Sequence, residues 1–240
     1  MKYNNTIQGI FLKRDNRFIA HVLIGHTEHI VHVKNTGRCR ELLIAGVIVI
    51  LEPSQNPKRK TAFSIIAVYK GERLINMDSQ VPNQVVFEAL QAGCITELER
   101  PETMRREVTF GNSRFDIYFE TPEQKNFIEV KGVTLEEEGM VMFPDAPTVR
   151  GTKHVYEMIK AVEAGFGGTI LFLIQMKDVD CFKPNLKMDE KFSNALVLAR
   201  AAGVKLLAYD CLVYEDEITF GRKVPIILRN QKAYHFLDRK

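Results

Sequence analysis

Two carboxylates and a lysine near the middle of this 240-residue chain have the types and spacing for divalent-metal chemistry on a phosphodiester. In Phe127-Ile-Glu-Val-Lys-Gly, strand alternation puts Glu129 and Lys131 on one face and turns Ile128 and Val130 into the core. The segment before it, Ser113-Arg-Phe-Asp-Ile-Tyr-Phe, carries Asp116 between two apolar residues, and a short turn at Pro122 brings that carboxylate alongside Glu129. Mg²⁺ takes hard oxygen ligands in an octahedral shell, usually one or two carboxylates with water and substrate phosphate completing it. Asp116 and Glu129 would hold Mg²⁺ (or Mn²⁺), which lowers the pKa of a bound water, and Lys131 would orient that water or stabilise developing negative charge. Glu107, on the strand before Asp116, could add a ligand or hold a water.

The competing reading of Glu129 and Lys131 is a same-face ion pair on a solvated sheet, worth ~0–1 kcal/mol. Three features favour function. The neighbours of the Glu-Val-Lys strand are aromatic and β-branched, the Asp116 strand precedes it by a short turn, and a helix follows with Arg150, Lys153 and His154 near its start, where backbone phosphates bind. Other motifs carry less. Gly165-Phe-Gly-Gly follows a helix and precedes a strand, the reverse of a dinucleotide fingerprint, and reads as a helix end; no GxxxxGK[ST] occurs. His21, His26, His29 and His32 read as barrel-surface residues, with nothing in the sequence to complete a metal set. Glu136-Glu137-Glu138 reads as a solvated loop, and no Ser/His/Asp order stands out.

The elements that must position these groups fall into two modules. Up to about residue 78, short runs at Ile7–Leu12, Phe18–Ile24, His29–Val33, Val47–Leu51, Ala62–Tyr69 and Arg73–Met77 alternate with turn clusters, the pattern of a small barrel of the oligonucleotide-binding or SH3-like kind. Its loops offer two basic clusters for DNA, Lys34, Asn35, Arg38 and Arg40 around Gly37, and Lys58-Arg59-Lys60. Asn83 is expected to cap a helix over Gln84–Gln91 that stops at Gly93, which sets domains of 1–82 and 83–240. The second then reads as a meander of strands Arg105–Phe110, Arg114–Glu120 and Asn126–Val133. Next come a helix capped by Thr148, a buried strand Thr169–Ile174, a helix capped by Asp189, and a strand Val204–Tyr209: a mixed sheet with helices packed on it.

Charge separates the same modules. Residues 1–80 are net +6 and residues 81–240 net −3, so the first is the one expected to meet a polyanion. No run reaches the roughly 18 apolar residues of a membrane span. The N-terminus lacks the apolar core of a secretory signal, which makes the cytoplasm the expected compartment. Cys39, Cys94, Cys181 and Cys211 are far apart and are expected to be buried thiols rather than zinc ligands or disulfides.

The blocks His32-Val-Lys-Asn-Thr-Gly-Arg-Cys, Arg114-Phe-Asp, Ile128-Glu-Val-Lys-Gly-Val-Thr-Leu and, above all, Phe143-Pro-Asp-Ala-Pro-Thr-Val-Arg-Gly-Thr-Lys-His resemble the sugar fermentation stimulation protein family. The likeness runs over nearly the whole chain. It implies a DNA-binding protein connected with regulation of sugar use such as maltose metabolism. The implied architecture is an N-terminal OB-fold-like barrel and a C-terminal α/β restriction-endonuclease-like domain of the PD-(D/E)xK type. By that likeness Asp116, Glu129 and Lys131 fall on the nuclease metal and catalytic positions, and Glu107 falls where some relatives carry an additional acid. Two rival readings are a DNA-binding regulator that uses an inactive nuclease fold and an enzyme acting on a small phosphorylated metabolite. The missing nucleotide loop and the basic barrel weigh against the second.

Overall fold

The computed structural model describes residues 1–35, 37, 39–56 and 58–228. The first six strands are β1 (Ile7–Arg14), β2 (Ile19–Ile24), β3 (Thr27–Val33), β4 (Ile48–Pro53), β5 (Phe63–Lys70) and β6 (Arg73–Asn76). They form one sheet in the order β3-β2-β1-β4-β5-β6, and a parallel pairing of β3 with β5 closes the first five into the OB-type barrel. Alternation does the sorting: Phe11, Ala20, Val22, Val31, Val33, Val49, Leu51, Ile65 and Val68 all turn into the barrel core. Gly9 leaves room for the Val22 side chain to pack over β1, since a Cβ there would stand 2.5 Å from Val22 Cγ1.

The second domain opens with α1 (Val81–Ala92), followed by β7 (Thr103–Phe110), β8 (Ser113–Glu120), β9 (Lys125–Val133), β10 (Leu135–Glu137) and β11 (Met140–Phe143). Then come α2 (Val149–Glu163), β12 (Gly167–Ile174), β13 (Cys181–Pro184), α3 (Glu190–Ala201), β14 (Lys205–Val213) and β15 (Ile218–Lys223). A mixed six-stranded sheet runs β15-β14-β12-β9-β8-β7, with β9, β12 and β14 parallel and the remaining neighbours antiparallel. One face packs on Val81, Val85, Val86, Ala89 and Leu90 of α1, the other on α2 and α3, so the central strands are buried on both sides. The caps expected at Thr148 and Asp189 form, each side chain accepting a backbone N–H of its first turn, from Gly151 and Phe192.

Several expectations are corrected. Asn83 does not cap α1: the cap is Gln80, with no side-chain bond, and Asn83 lies inside the helix facing the sheet. The β10–β11 hairpin with β13, and the edge strand β15, are additional; the first three strands are only three or four residues long, too short to register as periodic runs. Glu136 is no loop residue in water. It is 5% exposed and receives Lys70 and Arg73 of the barrel at 2.7 Å each, tying the two domains together. Of the cysteines, Cys39 and Cys211 are buried as expected, but Cys94 is exposed and Cys181 half-buried.

The domains share further polar contacts. Asn76 Nδ2 donates to the Tyr3 hydroxyl at 2.8 Å, and Gln175 Nε2 donates to Asn76 Oδ1 at 2.8 Å and to the Asp78 carbonyl at 3.1 Å, all out of water. Met1 and Tyr3 bond to backbone of the segment around β15. No helix among the described residues is long and apolar enough to cross a membrane.

Candidate metal and phosphate site

The site lies where β8 departs from regular alternation. Phe115 and Tyr118 both pack in the layer under α2, whereas Ile117 and Phe119 pack under α1, so the side-chain rhythm slips by one between Phe115 and Ile117. Cross-strand pairing of β8 with β9 runs from Glu120↔Lys125 to Ile117↔Ile128 and ends there. Asp116 takes up the freed strand edge: its Oδ2 accepts the Val130 N–H at 2.8 Å, and its Oδ1 accepts Asn83 Nδ2 at 2.8 Å. Burial raises the Asp116 carboxyl above its ordinary range, and the Glu129 charge raises it further, which puts the two carboxylates within each other's field.

Strand β9 alternates as its sequence requires. Ile128 and Val130 pack under α1, while Glu129 and Lys131 turn toward α2. Glu129 is only 3% exposed. Its Oε1 takes Lys131 Nζ at 2.6 Å and faces His154 Nδ1 at 2.5 Å. Burial opposes ionisation of Glu129, but the His154 hydrogen bond and the Lys131 charge outweigh it and hold the carboxyl below its usual value. Its second oxygen, Oε2, is buried and has no hydrogen-bond partner. A buried carboxylate oxygen without a partner costs several kcal/mol unless something binds it, so this atom marks where a cation or ordered water fits.

That atom is also the test of whether an Mg²⁺ or Mn²⁺ ion suits this site. Among the described residues no group of three or more His, Cys, Asp and Glu side chains converges as a metal cage. A cation that keeps several waters needs only one or two carboxylates, and Asp116 with Glu129 offers two, one of them with a vacant oxygen. The residues present fit such an ion.

The α2 side supplies positive charge. Arg150 is exposed at the helix start and its Nε makes a long 3.5 Å contact with His154 Nε2. Glu129 as a carboxylate only accepts, so His154 Nδ1 is the donor of the bond between them. Lys153 is exposed and donates to the Asn112 carbonyl at 2.8 Å, which sets it beside the β7–β8 turn. Gly132 completes the floor: a Cβ there would stand 2.6 Å from Gln175 Oε1 and 2.8 Å from Pro82 Cγ, so the glycine lets the start of α1 close on β9 and bring Asn83 to Asp116.

The remaining sequence candidates scatter. Glu107 has a positive φ of 54° and an exposed carboxylate that pairs with Arg114 at 3.4 Å. Lys34 is 19% exposed and held between Glu52 at 2.8 Å and Asp78 at 3.2 Å, ion pairs within the fold. Asn35 is also structural, donating to the Met77 carbonyl and accepting the Gly37 N–H. Arg40, Lys58 and Lys60 are exposed and Arg59 half-buried, while Arg38 lies outside the described residues. His21 meets two carboxylates, Asp15 at 2.8 Å and Glu28 at 2.5 Å, His29 packs its edge on Phe63, and His26 is exposed. Sequence reasoning missed Asn83 as a partner of Asp116 and the depth at which His154 meets Glu129; neither has a local signature.

Residues 12–77 match the family described as SfsA N-terminal OB domain, and residues 80–217 match the sugar fermentation stimulation protein RE domain. A sugar fermentation stimulation protein homolog of Alkaliphilus oremlandii is 57% identical over 234 residues, covering 95% of this chain and 100% of its own length. One from Desulfitobacterium hafniense is 54% identical over 228 residues, covering 95% and 99%. Among solved structures, Pyrococcus furiosus SfsA in complex with Ca²⁺ superposes with a TM-score of 0.86 at 29% identity, covering 95% of this chain and 98% of that one.

Proposed function

The chain belongs to the sugar fermentation stimulation protein family, and on that basis we propose that it binds DNA and hydrolyses phosphodiester bonds at a divalent-cation site held by Asp116 and Glu129. The observation that carries this reading is the buried, partnerless Oε2 of Glu129 beside a second carboxylate and a lysine. An ion of the Mg²⁺ or Mn²⁺ kind would supply a more acidic bound water and neutralise charge building on the phosphate. Glu129 stays ionised for it because His154 and Lys131 donate to the opposite oxygen. Lys131 stands two residues from Glu129 on the same face, placed to orient the attacking water or to offset charge on the phosphate. Arg150 and Lys153, exposed near the start of α2 where the helix dipole is positive, steady the flanking phosphates. The Ca²⁺ in the Pyrococcus furiosus protein supports a site for a hard, oxygen-seeking cation. Any influence on sugar metabolism, maltose use included, would act through the DNA it binds.

A second reading, DNA binding without turnover, draws support from the way Asp116 spends one bond from each oxygen on Val130 and Asn83. Incubating the protein with single-stranded DNA, duplex DNA and RNA, with and without Mg²⁺ or Mn²⁺, beside Asp116→Ala and Lys131→Ala, decides between them. Metal-dependent products that vanish in both variants support the nuclease. Binding that persists in both variants, with no product from any substrate, supports the second reading.

A further inference from the structure

The barrel carries a recess of about 650 Å³ between the β1–β2 turn on one side and Gly37 with residues 39–45 on the other, a volume in the range of ligand sites. Four of its lining residues are cationic, Lys13, Arg14, Arg17 and Arg40, and none is acidic. The other walls include apolar Phe11, Leu43 and Ala45. Arg14 is part of the frame: its guanidinium donates to the carbonyls of Asn16, Arg17, Asn35 and Gly37, so it pins the rim while its charge faces the recess. Lys13, Arg17 and Arg40 are exposed. Asp15 draws Lys13 from outside the recess at 3.7 Å, and the Arg17 guanidinium stands 4.9 Å over the exposed Phe18 ring.

A second cavity, of about 210 Å³, begins at Gly37, which both cavities share, and reaches Pro82 and Gly132. Pro82 and Gly132 are the chain neighbours of Asn83 and Lys131, so the second cavity leads from the recess toward the part of β9 next to the carboxylate site. Asp145 is the one carboxylate in the connecting cavity, an acceptor suited to base amino groups rather than phosphate.

We propose that this recess is a second subsite for a single-stranded polynucleotide, with Arg17, Arg40 and Lys13 on its phosphates and the strand leading past Gly37 toward Glu129. The proposal deepens the nuclease reading and rests on it for the direction of the strand. A single strand can lay sugars and unstacked bases on Leu43 and Ala45 and stack a base on Phe18, whereas a duplex keeps its bases inside and presents only backbone.

The test is binding of a fluorescent twenty-nucleotide oligothymidylate to the full-length protein in EDTA, so that the carboxylate site takes no metal. Arg17→Glu/Arg40→Glu is expected to weaken binding at least about tenfold at 0.1 M salt and to lower the slope of log affinity against log salt by roughly one to one and a half, the share of two phosphate contacts on a single strand. Lys187→Glu/Lys191→Glu, which changes net charge equally on exposed residues at the α3 end, is the control and is expected to change affinity less than about threefold. Equal losses in the two variants would mean a diffuse field and overturn the recess. A duplex of the same length that binds as tightly and loses as much would overturn the single-strand assignment. A small phosphodiester, the p-nitrophenyl ester of thymidine 5′-phosphate, keeps this apart from the nuclease reading. With Mn²⁺ its hydrolysis is expected from the Lys187→Glu/Lys191→Glu control protein, and absence of any hydrolysis would count against the nuclease alone.

Discussion

Asp116 Oδ2 accepts the N–H of Val130 at 2.8 Å, so a carboxylate on one strand replaces the backbone hydrogen bond that ends between β8 and β9 at Ile117 and Ile128. One side chain thus repairs a gap in the sheet and faces Glu129, and substitution separates the two roles. Asp116→Asn keeps an oxygen for the Val130 amide but loses the charge. Its activity on DNA with Mg²⁺ is expected to fall about 10²–10³-fold, with the unfolding free energy changed by less than about 1 kcal/mol. Asp116→Ala loses the same activity and leaves the Val130 N–H and Asn83 without their acceptor, a further cost of about 1–3 kcal/mol in denaturant unfolding. Equal stability of the two variants would remove the structural role.

Lys131 donates to Glu129 Oε1 at 2.6 Å from the same strand face, and His154 faces the same oxygen. Replacing Lys131 by methionine keeps the stem and removes the donor. Single-turnover cleavage is expected to slow about 10²–10³-fold, while oligonucleotide affinity measured in EDTA stays within about twofold, because one half-buried lysine makes a small part of the electrostatic attraction. A loss of affinity equal to the loss of rate would reassign Lys131 to binding.

Glu136 reports on the joint between the domains. Burial works against its charge, yet Lys70, the Gly139 N–H and Arg73 hold its carboxyl down to about 2. An unfolded glutamate titrates near 4.3, so the folded state has the lower value. The ionised pairing therefore stabilises fully above about pH 4.5 and is lost as pH falls from there toward 2. Glu136→Gln is expected to lower stability by about 2 kcal/mol at pH 7, or about 4–8 °C in Tm. Thermal scans should show that gap closing between pH 4.5 and pH 2.5; a gap that stays constant would place the effect elsewhere.

Burial pushes the Cys39 thiol up to about 12, and the Cys211 thiol well above its ordinary value. Cys94 is exposed at the end of α1. Native protein treated with iodoacetamide at pH 8 is expected to alkylate Cys94 first and to leave Cys39 and Cys211 unmodified until denaturant is added, as peptide mass mapping would read. Early modification of Cys39 would show that the 39–45 segment opens, and with it the wall of the barrel recess.

Local rules in the sequence already determined the face of β9 that carries Glu129 and Lys131, the caps at Thr148 and Asp189, the stop at Gly93, and the strand runs of the barrel. Each depends on a residue and its near neighbours, through alternation, a side-chain oxygen at a helix start or a left-handed turn, and such rules survive without knowledge of the fold. The fate of individual charges did not follow from them. Lys34 read as part of a basic cluster for DNA and Glu136 as solvated, and both sit in ion pairs between distant segments, while Glu107, read as an added ligand, pairs with Arg114 at the surface. Asn83 read as a cap and instead binds Asp116, and the rhythm of β8 slips at the one residue whose side chain the site needs. Whether a charge is solvated, paired or left as a vacant ligand depends on which element from elsewhere in the chain packs against it, and only the closing of α1 and α2 over the sheet decided that.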